Sequence, residues 1–424
     1  MSNIKRIEKD YVIIFKQKDG LFTMYDCYDK TLKTGPFPND RYYYFKFKDD
    51  KFPCTDEGLK AYAEMFKVWC EEFKEATKIV GKNKSVIDYA ESLSDFYNVI
   101  RLFNYFCKKN YKKHQQITPI EYKWYEMAAN SGQVYLKEKD IKLQCYGYDY
   151  SKYYGRILGA TDLFIPTTEG SEEKLKILYD NLIPGFYKVK ITCDNDDFRK
   201  IFTFSKDNVY LNTSIEFARK YQEEFDVSIV LITDVKYNAL IYSKKYMVSI
   251  NSITKEWHDF VMDINAKLPK NKLLKFLISA CWGVLSETNT INKTEKEIND
   301  NNIDVGNPED HEYDIIDEIE TKKSHYYVLL NSWQPYKHNL RLKPFLTAYG
   351  RNKIGDMAYK NIEHVVRIHT DCIVTDIDIK YDDPYILPEE KSTGYIHFHH
   401  NNCYKKIDAP DYNEWLIENK IKLS

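Results

Sequence analysis

Three polar residues far apart in the chain stand where chemistry could use them: Asp371 in RIHTDCIVT, Asp149 in LQCYGYDYSKYYG and Lys275 in NKLLKFLISACWG. Around Asp371 the apolar residues alternate, Val366 and Ile368 before it, Ile373 and Val374 after it, which predicts two short strands folded on a polar tip. A carboxylate at such a tip is backed by rigid ladder hydrogen bonds and projects into a cleft, which a metal-dependent phosphoryl-transfer site asks of a ligand. Asp149 falls where a buried strand gives way to a helix starting near Ser151, so its backbone is fixed while its side chain can reach a cleft. The same letters also suit plainer roles, a solvated turn at Asp371 and a helix cap at Asp149.

Lys275 belongs to a segment in which Leu274, Leu277, Ile278 and Cys281 form an apolar stripe, while Lys272, Lys275, Ser279 and Trp282 lie on or near another face. A lysine, a hydroxyl one turn on and an aromatic followed by Gly could meet a triphosphate, a sugar and a base pair in succession. An amphipathic surface helix explains the same spacing. In KKNYKKH, Lys108, Lys109, Lys112 and Lys113 interleave with Tyr111 and could follow a nucleic-acid backbone, or form a solvated helix end. His397 and His399 share a strand face near Cys403, a pattern that invites a metal, but no further ligand of suitable spacing appears.

Positioning these residues takes a sheet with helices behind it. Residues 11–48 read as β-structure, with YVIIF and LFTMYDCY around a Lys18-Asp19-Gly20 turn and YYYFKF after a Gly-Pro-Phe-Pro loop. Residues 56–80 and 85–109 carry apolar residues at helical spacing, the second with Ser85 and Asp88 as a cap. Thr118-Pro119-Ile120-Glu121 is a capping box with Pro at the first helical position, so a helix starts there and ends near Ser131-Gly132. PGFYKVKITCD and IFTF suggest two antiparallel strands, residues 213–225 a helix, DVSIVLI a strand and residues 254–267 a helix. Residues 344–359 read as a helix leading to the Asp371 hairpin, and GYIHFHHNNCYKKI as a strand-rich piece before a short terminal helix.

At 424 residues the chain has room for two or three structural units. With 43% hydrophobic and 30% charged residues it is no disordered chain, and no apolar run approaches membrane-spanning length. The N-terminal MSNIKRIEKDYVIIFKQ has no apolar stretch of secretory length, so an intracellular protein without a membrane partner is expected. Nine cysteines without a CxxC pair fit reduced thiols. The net charge of −2 hides an asymmetry: residues 287–324 hold twelve Asp or Glu against four Lys, a net of −8, leaving the remainder at +6. That acidic stretch, weakly periodic and broken at Gly306-Asn307-Pro308, is expected to be a mobile insert.

Taken in order, the three segments resemble the polymerase core of family B DNA polymerases, particularly the viral and mobile-element branch that includes protein-primed enzymes. That family's D-x-x-S-L-Y-P motif is matched at Asp149 and Tyr154 of Asp149-Tyr150-Ser151-Lys152-Tyr153-Tyr154-Gly155. Its K-x-x-x-N-S-x-Y-G is matched at Lys275 and Gly283, with Ser279, Ala280 and Trp282 replacing Asn, Ser and Tyr. Its D-T-D-S appears as His369-Thr370-Asp371-Cys372. The resemblance spans roughly residues 120–400.

The resemblance implies an α+β fold: a polymerase palm, which is an antiparallel sheet backed by helices, with helical fingers and a mixed, mostly helical N-terminal region. The corresponding divisions are an N-terminal region 1–117, palm 118–253 with the first Asp motif, fingers 254–286, the acidic insert 287–324, palm 325–400 with the Thr-Asp hairpin, and a minimal thumb or tail 401–424. It implies a DNA-directed DNA polymerase whose Asp149 and Asp371, with the Tyr150 carbonyl, hold two Mg²⁺ ions, Mn²⁺ being the alternative. Lys275 and Lys272 would neutralise the triphosphate of a dNTP, Tyr154 would underlie its sugar, and Ser279 and Trp282 would complete the nucleotide site. His369, in place of the first Asp, would touch primer-template DNA together with Thr370 and the lysines 108, 109, 112 and 113. No Asp-x-Glu in a strand precedes Asp149, so no 3′ to 5′ exonuclease is expected, and a terminal or accessory replication protein is an implied partner. The rival expectation is a degenerate, catalytically inactive polymerase-like protein that binds DNA or a replication partner.

Overall fold

The computed structural model describes residues 11–16, 22–26, 30–35, 43–46, 55–79, 95–128, 131–305, 312–320 and 325–407. Its internal contacts divide the chain into two compact units, one of Met1–Lys112 with Asn251–Leu285, the other of Lys113–Ile250 with Ser286–Ser424.

The first unit combines a four-stranded sheet with helices. The strands follow the order Thr31–Gly35, Phe22–Asp26, Tyr11–Lys16, Tyr43–Lys46, the last pair parallel. Helix Asp56–Ile79 starts where Thr55 Oγ1 accepts from the Gly58 N–H at 3.1 Å and carries two acids in its first turn, as an N-terminus favours. It buries Leu59, Ala63, Phe66, Cys70 and Phe73, one stripe at helical spacing. The expected start of the next helix at Ser85 lies outside the described residues; among them that helix runs Asp95–Tyr111. Phe103 packs on Trp257 and Phe106 on Phe260 of helix Ile250–Lys267, at ring separations of 5.9 and 4.8 Å. Helix Lys272–Leu285 is capped by Asn271, whose Oδ1 accepts from the Leu274 N–H at 3.0 Å, so it starts three residues after Pro269.

The second unit is built on a six-stranded antiparallel sheet in the order Cys403–Lys406, Ile386–His400, Ile141–Tyr150, Cys372–Thr375, Val365–His369, Val134–Leu136. Its apolar face gathers Cys145, Val366, Cys372, Val374, Ile396 and Phe398. Helix Lys343–Tyr359 packs against the helices Tyr153–Ile157, Asp196–Ile201 and Asn212–Lys220. This α+β arrangement, an antiparallel sheet with helices, is the expected class.

Two local expectations are corrected. IFTF is not a strand: Asn195 Oδ1 caps a helix, Asp196–Ile201, by accepting from the Asp197 N–H at 2.8 Å, and that helix absorbs Ile201. The described residues of the acidic stretch 287–324 are not the structureless insert expected. They contribute strands Thr290–Lys293 and Tyr313–Glu320 on either side of His325–Asn331, and helix Glu295–Asp300 between them. Thr294 and Glu297 form a full capping box on that helix. The acids of Tyr313–Glu320 lie on an edge strand, where charge discourages pairing with another chain.

One buried network braces the second unit. The Thr118 and Glu121 capping box forms as read, the Thr118 N–H donating to Glu121 Oε2 at 3.0 Å. The same carboxylate, fully buried, takes a two-pronged pair from Arg341, Nε to Oε1 and Nη2 to Oε2, each 2.8 Å. Arg341 also donates to the Gln115 and Gln116 carbonyls, and Tyr242 to Glu121 at 2.9 Å, so each charge has several partners.

Candidate active site

Asp149 and Asp371 come together at one end of the six-stranded sheet. Asp149 is the penultimate residue of strand Ile141–Tyr150 and stands opposite Cys372, while the Tyr150 N–H donates to the Asp371 carbonyl at 2.8 Å. Asp371, in the turn just before Cys372, is thus a diagonal neighbour of Asp149, with Cα atoms roughly 6 Å apart from the spacing and rise of strands. Both are half-buried. Strict alternation would turn diagonal neighbours to opposite faces. Asp371, however, lies in the turn rather than in either strand, so the pleat does not govern it.

The turn is strained. Thr370 has φ 62°, and the Asp371 N–H donates to the His369 carbonyl at 2.8 Å, an i to i+2 bond that marks a γ-turn of the rare positive-φ form. A β-branched residue held there costs on the order of 1–3 kcal/mol. Residues 131–133 hold it: the Thr370 N–H donates to the Gln133 carbonyl at 2.8 Å. A Cβ on Gly132 would come within 2.8 Å of Thr370 Oγ1 and 2.9 Å of its Cγ2, so only glycine allows this approach. Gln133 is itself buried and donates to the Lys200 carbonyl at 2.9 Å, while Arg351 Nη1 donates to the Ser131 carbonyl at 2.9 Å.

Two tyrosines stand in the field of Asp371. Helix Tyr153–Ile157 is entered through Lys152 at φ 57°. Burial pushes the Tyr154 phenol up to about 12, with Asp371 adding to the shift and Arg351 opposing it. Burial also raises Tyr153 well above the ordinary range, again with a contribution from Asp371, and its hydroxyl donates to the Gly350 carbonyl. The Tyr150 phenol accepts from Lys353 Nζ at 3.0 Å; burial raises it and Lys353 pulls it back.

Arg351 and Lys353 were missed from the sequence. Arg351 is buried, and desolvation lowers its guanidinium to about 10 while Tyr154 and Tyr210 work the other way. Helix Lys343–Tyr359 buries residues on nearly every side, so no polar stripe advertised a function. The available signal was an arginine inside a helix that reads as core.

The remaining expected residues are placed as follows. His369 Nδ1 lies 3.0 Å from Asn401 Oδ1, which holds the ring. Lys272, Lys275 and Ser279 are exposed and Trp282 half-buried on helix Lys272–Leu285 of the first unit, where Lys272 Nζ lies 5.0 Å over the Trp69 ring. Lys108, Lys109 and Lys112 are exposed at the end of that unit's helix Asp95–Tyr111, Lys109 paired with Glu256 at 2.6 Å, while the exposed Lys113 opens the second unit. Asp149, Tyr150, Tyr154, Thr370 and Asp371 therefore gather in one unit, and the lysine and serine candidates of helix Lys272–Leu285 belong to the other.

The donors at the Asp end are carboxylates and backbone carbonyls, an oxygen set that fits a hard divalent cation such as Mg²⁺. Cys372 does not soften it. Burial raises its thiol, and its Sγ is engaged by Glu389 at 3.2 Å.

No family model matches this chain, and no curated protein sequence matches it. Its fold is similar to solved structures of Phi29 DNA polymerase. In the complex with primer-template DNA and incoming nucleotide substrates, 13% of residues are identical, with a TM-score of 0.51 over 92% of this chain and 72% of that one. The complex with primer-template DNA gives 12% identity and a TM-score of 0.50 over 92% and 71%. The complex with single-stranded DNA gives 13% and 0.51 over 87% and 62%. Among the described residues, no helix is long and apolar enough to cross a membrane.

Proposed function

We propose that this chain is a template-directed DNA polymerase of the family B type that adds deoxynucleotides to a primer by two-metal phosphoryl transfer in copying a viral or mobile genome. The observation that carries the reading is the meeting of Asp149 and Asp371 at one sheet end, across more than two hundred positions of sequence. The polymerase-like fold supports it.

Asp149 and Asp371, with the Tyr150 carbonyl, are assigned to hold the cations. Two divalent ions bound there would act as Lewis acids on the attacking and leaving oxygens. The γ-turn fixes the Asp371 backbone before substrate arrives, which leaves only side-chain torsions to adjust at the moment of reaction. Tyr154, a neutral phenol at pH 7 that burial moves still further from ionising, has its ring assigned to the sugar of the incoming nucleotide. Lys275, on the exposed face of its helix, is assigned to the triphosphate, with Lys272, Ser279 and Trp282 beside it. His369, Thr370 and the lysines 108, 109, 112 and 113 are assigned to primer-template contacts, which carry affinity rather than sequence choice.

The test is incorporation of labelled dNTP on a primed template with Mg²⁺, comparing the wild type with Asp149→Ala and Asp371→Asn. Loss of at least about a thousandfold in rate with DNA binding retained is expected. Incorporation by Asp371→Asn at the wild-type rate would refute the reading. A wild type that binds primer-template and never extends it would identify the degenerate protein instead. Incubation without dNTP is expected to leave the primer unshortened.

A further inference from the structure

At the opposite end of the Asp149 strand the second unit gathers a different set of donors. His397 and His399 are alternate residues of strand Ile386–His400 and share a face, with ring centroids 3.9 Å apart. The strand pairs His397 with Lys142 and Phe398 with Ile141, which carries Asp140, the turn residue at φ 56° just before strand Ile141–Tyr150, to the side of His399. Asp140 Oδ1 lies 3.0 Å from His399 Nδ1 and 3.7 Å from His397 Nε2. One ligand atom from each of the three residues falls within 4.8 Å of the others.

We propose that Asp140, His397 and His399 form a binding site for a divalent transition-metal cation of the zinc class. A hydrogen bond to Asp140 accounts for one imidazole, but here two rings converge on the same carboxylate. Bond lengths of about 2.0–2.2 Å to zinc place tetrahedral ligand atoms roughly 3.3–3.5 Å from one another. The two separations to Asp140 bracket that value and the third lies within 4.8 Å, so side-chain tip movements of about 1 Å close the set. Two imidazoles and one carboxylate select zinc and its neighbours over magnesium or calcium, which take oxygen. Asp140 and His399 are largely exposed, so the remaining coordination positions would be taken by water. Lys142 and Lys405 stand opposite His397 on the neighbouring strands and weaken attraction for a cation, which Asp140 offsets.

Cys403, which the sequence offered beside these histidines, is not a member of the cluster. Nine residue steps, or roughly 30 Å of strand, separate Asp140 from Asp149. A metal here would clamp the turn before Ile141 to strand Ile386–His400, and the site stands whether or not the chain polymerises.

The test uses untagged, chelator-treated full-length protein, titrated with Zn²⁺ by calorimetry and with Co²⁺ by visible absorption. One Zn²⁺ per chain is expected, with affinity falling at least tenfold in His397→Ala, His399→Ala and Asp140→Asn and unchanged in Cys403→Ser. The wild-type Co²⁺ complex is expected to show visible bands of a four- or five-coordinate nitrogen and oxygen site without thiolate charge transfer, a readout independent of whether any variant folds. Absence of Zn²⁺ binding, undiminished affinity in the His397→Ala/His399→Ala double variant, or a thiolate band would each overturn the proposal.

Discussion

Gly132→Ala tests whether the strained turn positions Asp371. The new Cβ would meet Thr370 Oγ1 at 2.8 Å, Cγ2 at 2.9 Å and Cα at 3.1 Å. Ordinary contact between such atoms begins at about 3.5 Å, so relief requires a displacement of roughly 0.6 Å. Residues 131–133 are pinned by the Arg351 bond to Ser131 and the Gln133 bond to Lys200, which leaves the turn as the part that yields. Asp371 is the next residue and moves with it. A misplacement of about 1 Å costs on the order of a hundredfold in rate, so a loss of about ten- to a hundredfold in single-turnover incorporation is expected. Overpacking should remove about 1–3 kcal/mol of unfolding free energy, measured by denaturant titration. Thr370→Gly removes both clashing side-chain atoms and suits the positive φ, so the Gly132→Ala/Thr370→Gly double variant should regain most of the rate, a coupling that independent sites would not show. If Gly132→Ala keeps both wild-type rate and stability, the turn does not position Asp371 as argued.

Other perturbations read different parts of the molecule. Arg341→Met leaves the Glu121 carboxylate buried without its guanidinium and should cost about 3–5 kcal/mol by denaturant titration, less when Glu121→Gln is added. His114 is held down to about 4, chiefly by burial and then by Arg341. Its folded pKa lies below the unfolded one, so the unfolded chain binds more protons between them; stability falls as pH drops from about 6.5 towards 4, and is unaffected by this group above that window. Discounted for partial exposure, the loss is on the order of 1–2 kcal/mol, and His114→Gln should flatten that limb of a pH series of melts. Lys353→Met removes the donor to Tyr150 and should slow incorporation by about tenfold, or ~1.4 kcal/mol, with DNA binding little changed.

What could be read in the sequence was what local pattern encodes. Alternation around Asp371 and the strand-to-helix change at Asp149 located both carboxylates at element ends, and resemblance paired them. The capping box at Thr118 was equally local, and it formed. Glu121 also shows where local reading stops: the cap accounted for the carboxylate so completely that nothing asked for a second partner, and Arg341 lies in a segment with no pattern of its own. Arg351 and Lys353 escaped for the opposite reason, since a helix buried on nearly all sides has no stripe against which a charge stands out. In residues 313–320 the density of acids masked a strand whose neighbour, His325–Asn331, supplies the ladder. Asp140 closes a Lys-Glu-Lys-Asp run that reads as a solvated turn, and only the pairing of Ile141–Tyr150 with Ile386–His400 turns that aspartate towards two histidines. For the acidic strand and for Asp140 the missing information was register. Pattern fixes which face of an element is buried, but contacts made by a polar residue follow from which strand lies beside it, and a single sequence carries that only where both partners are apolar enough to alternate.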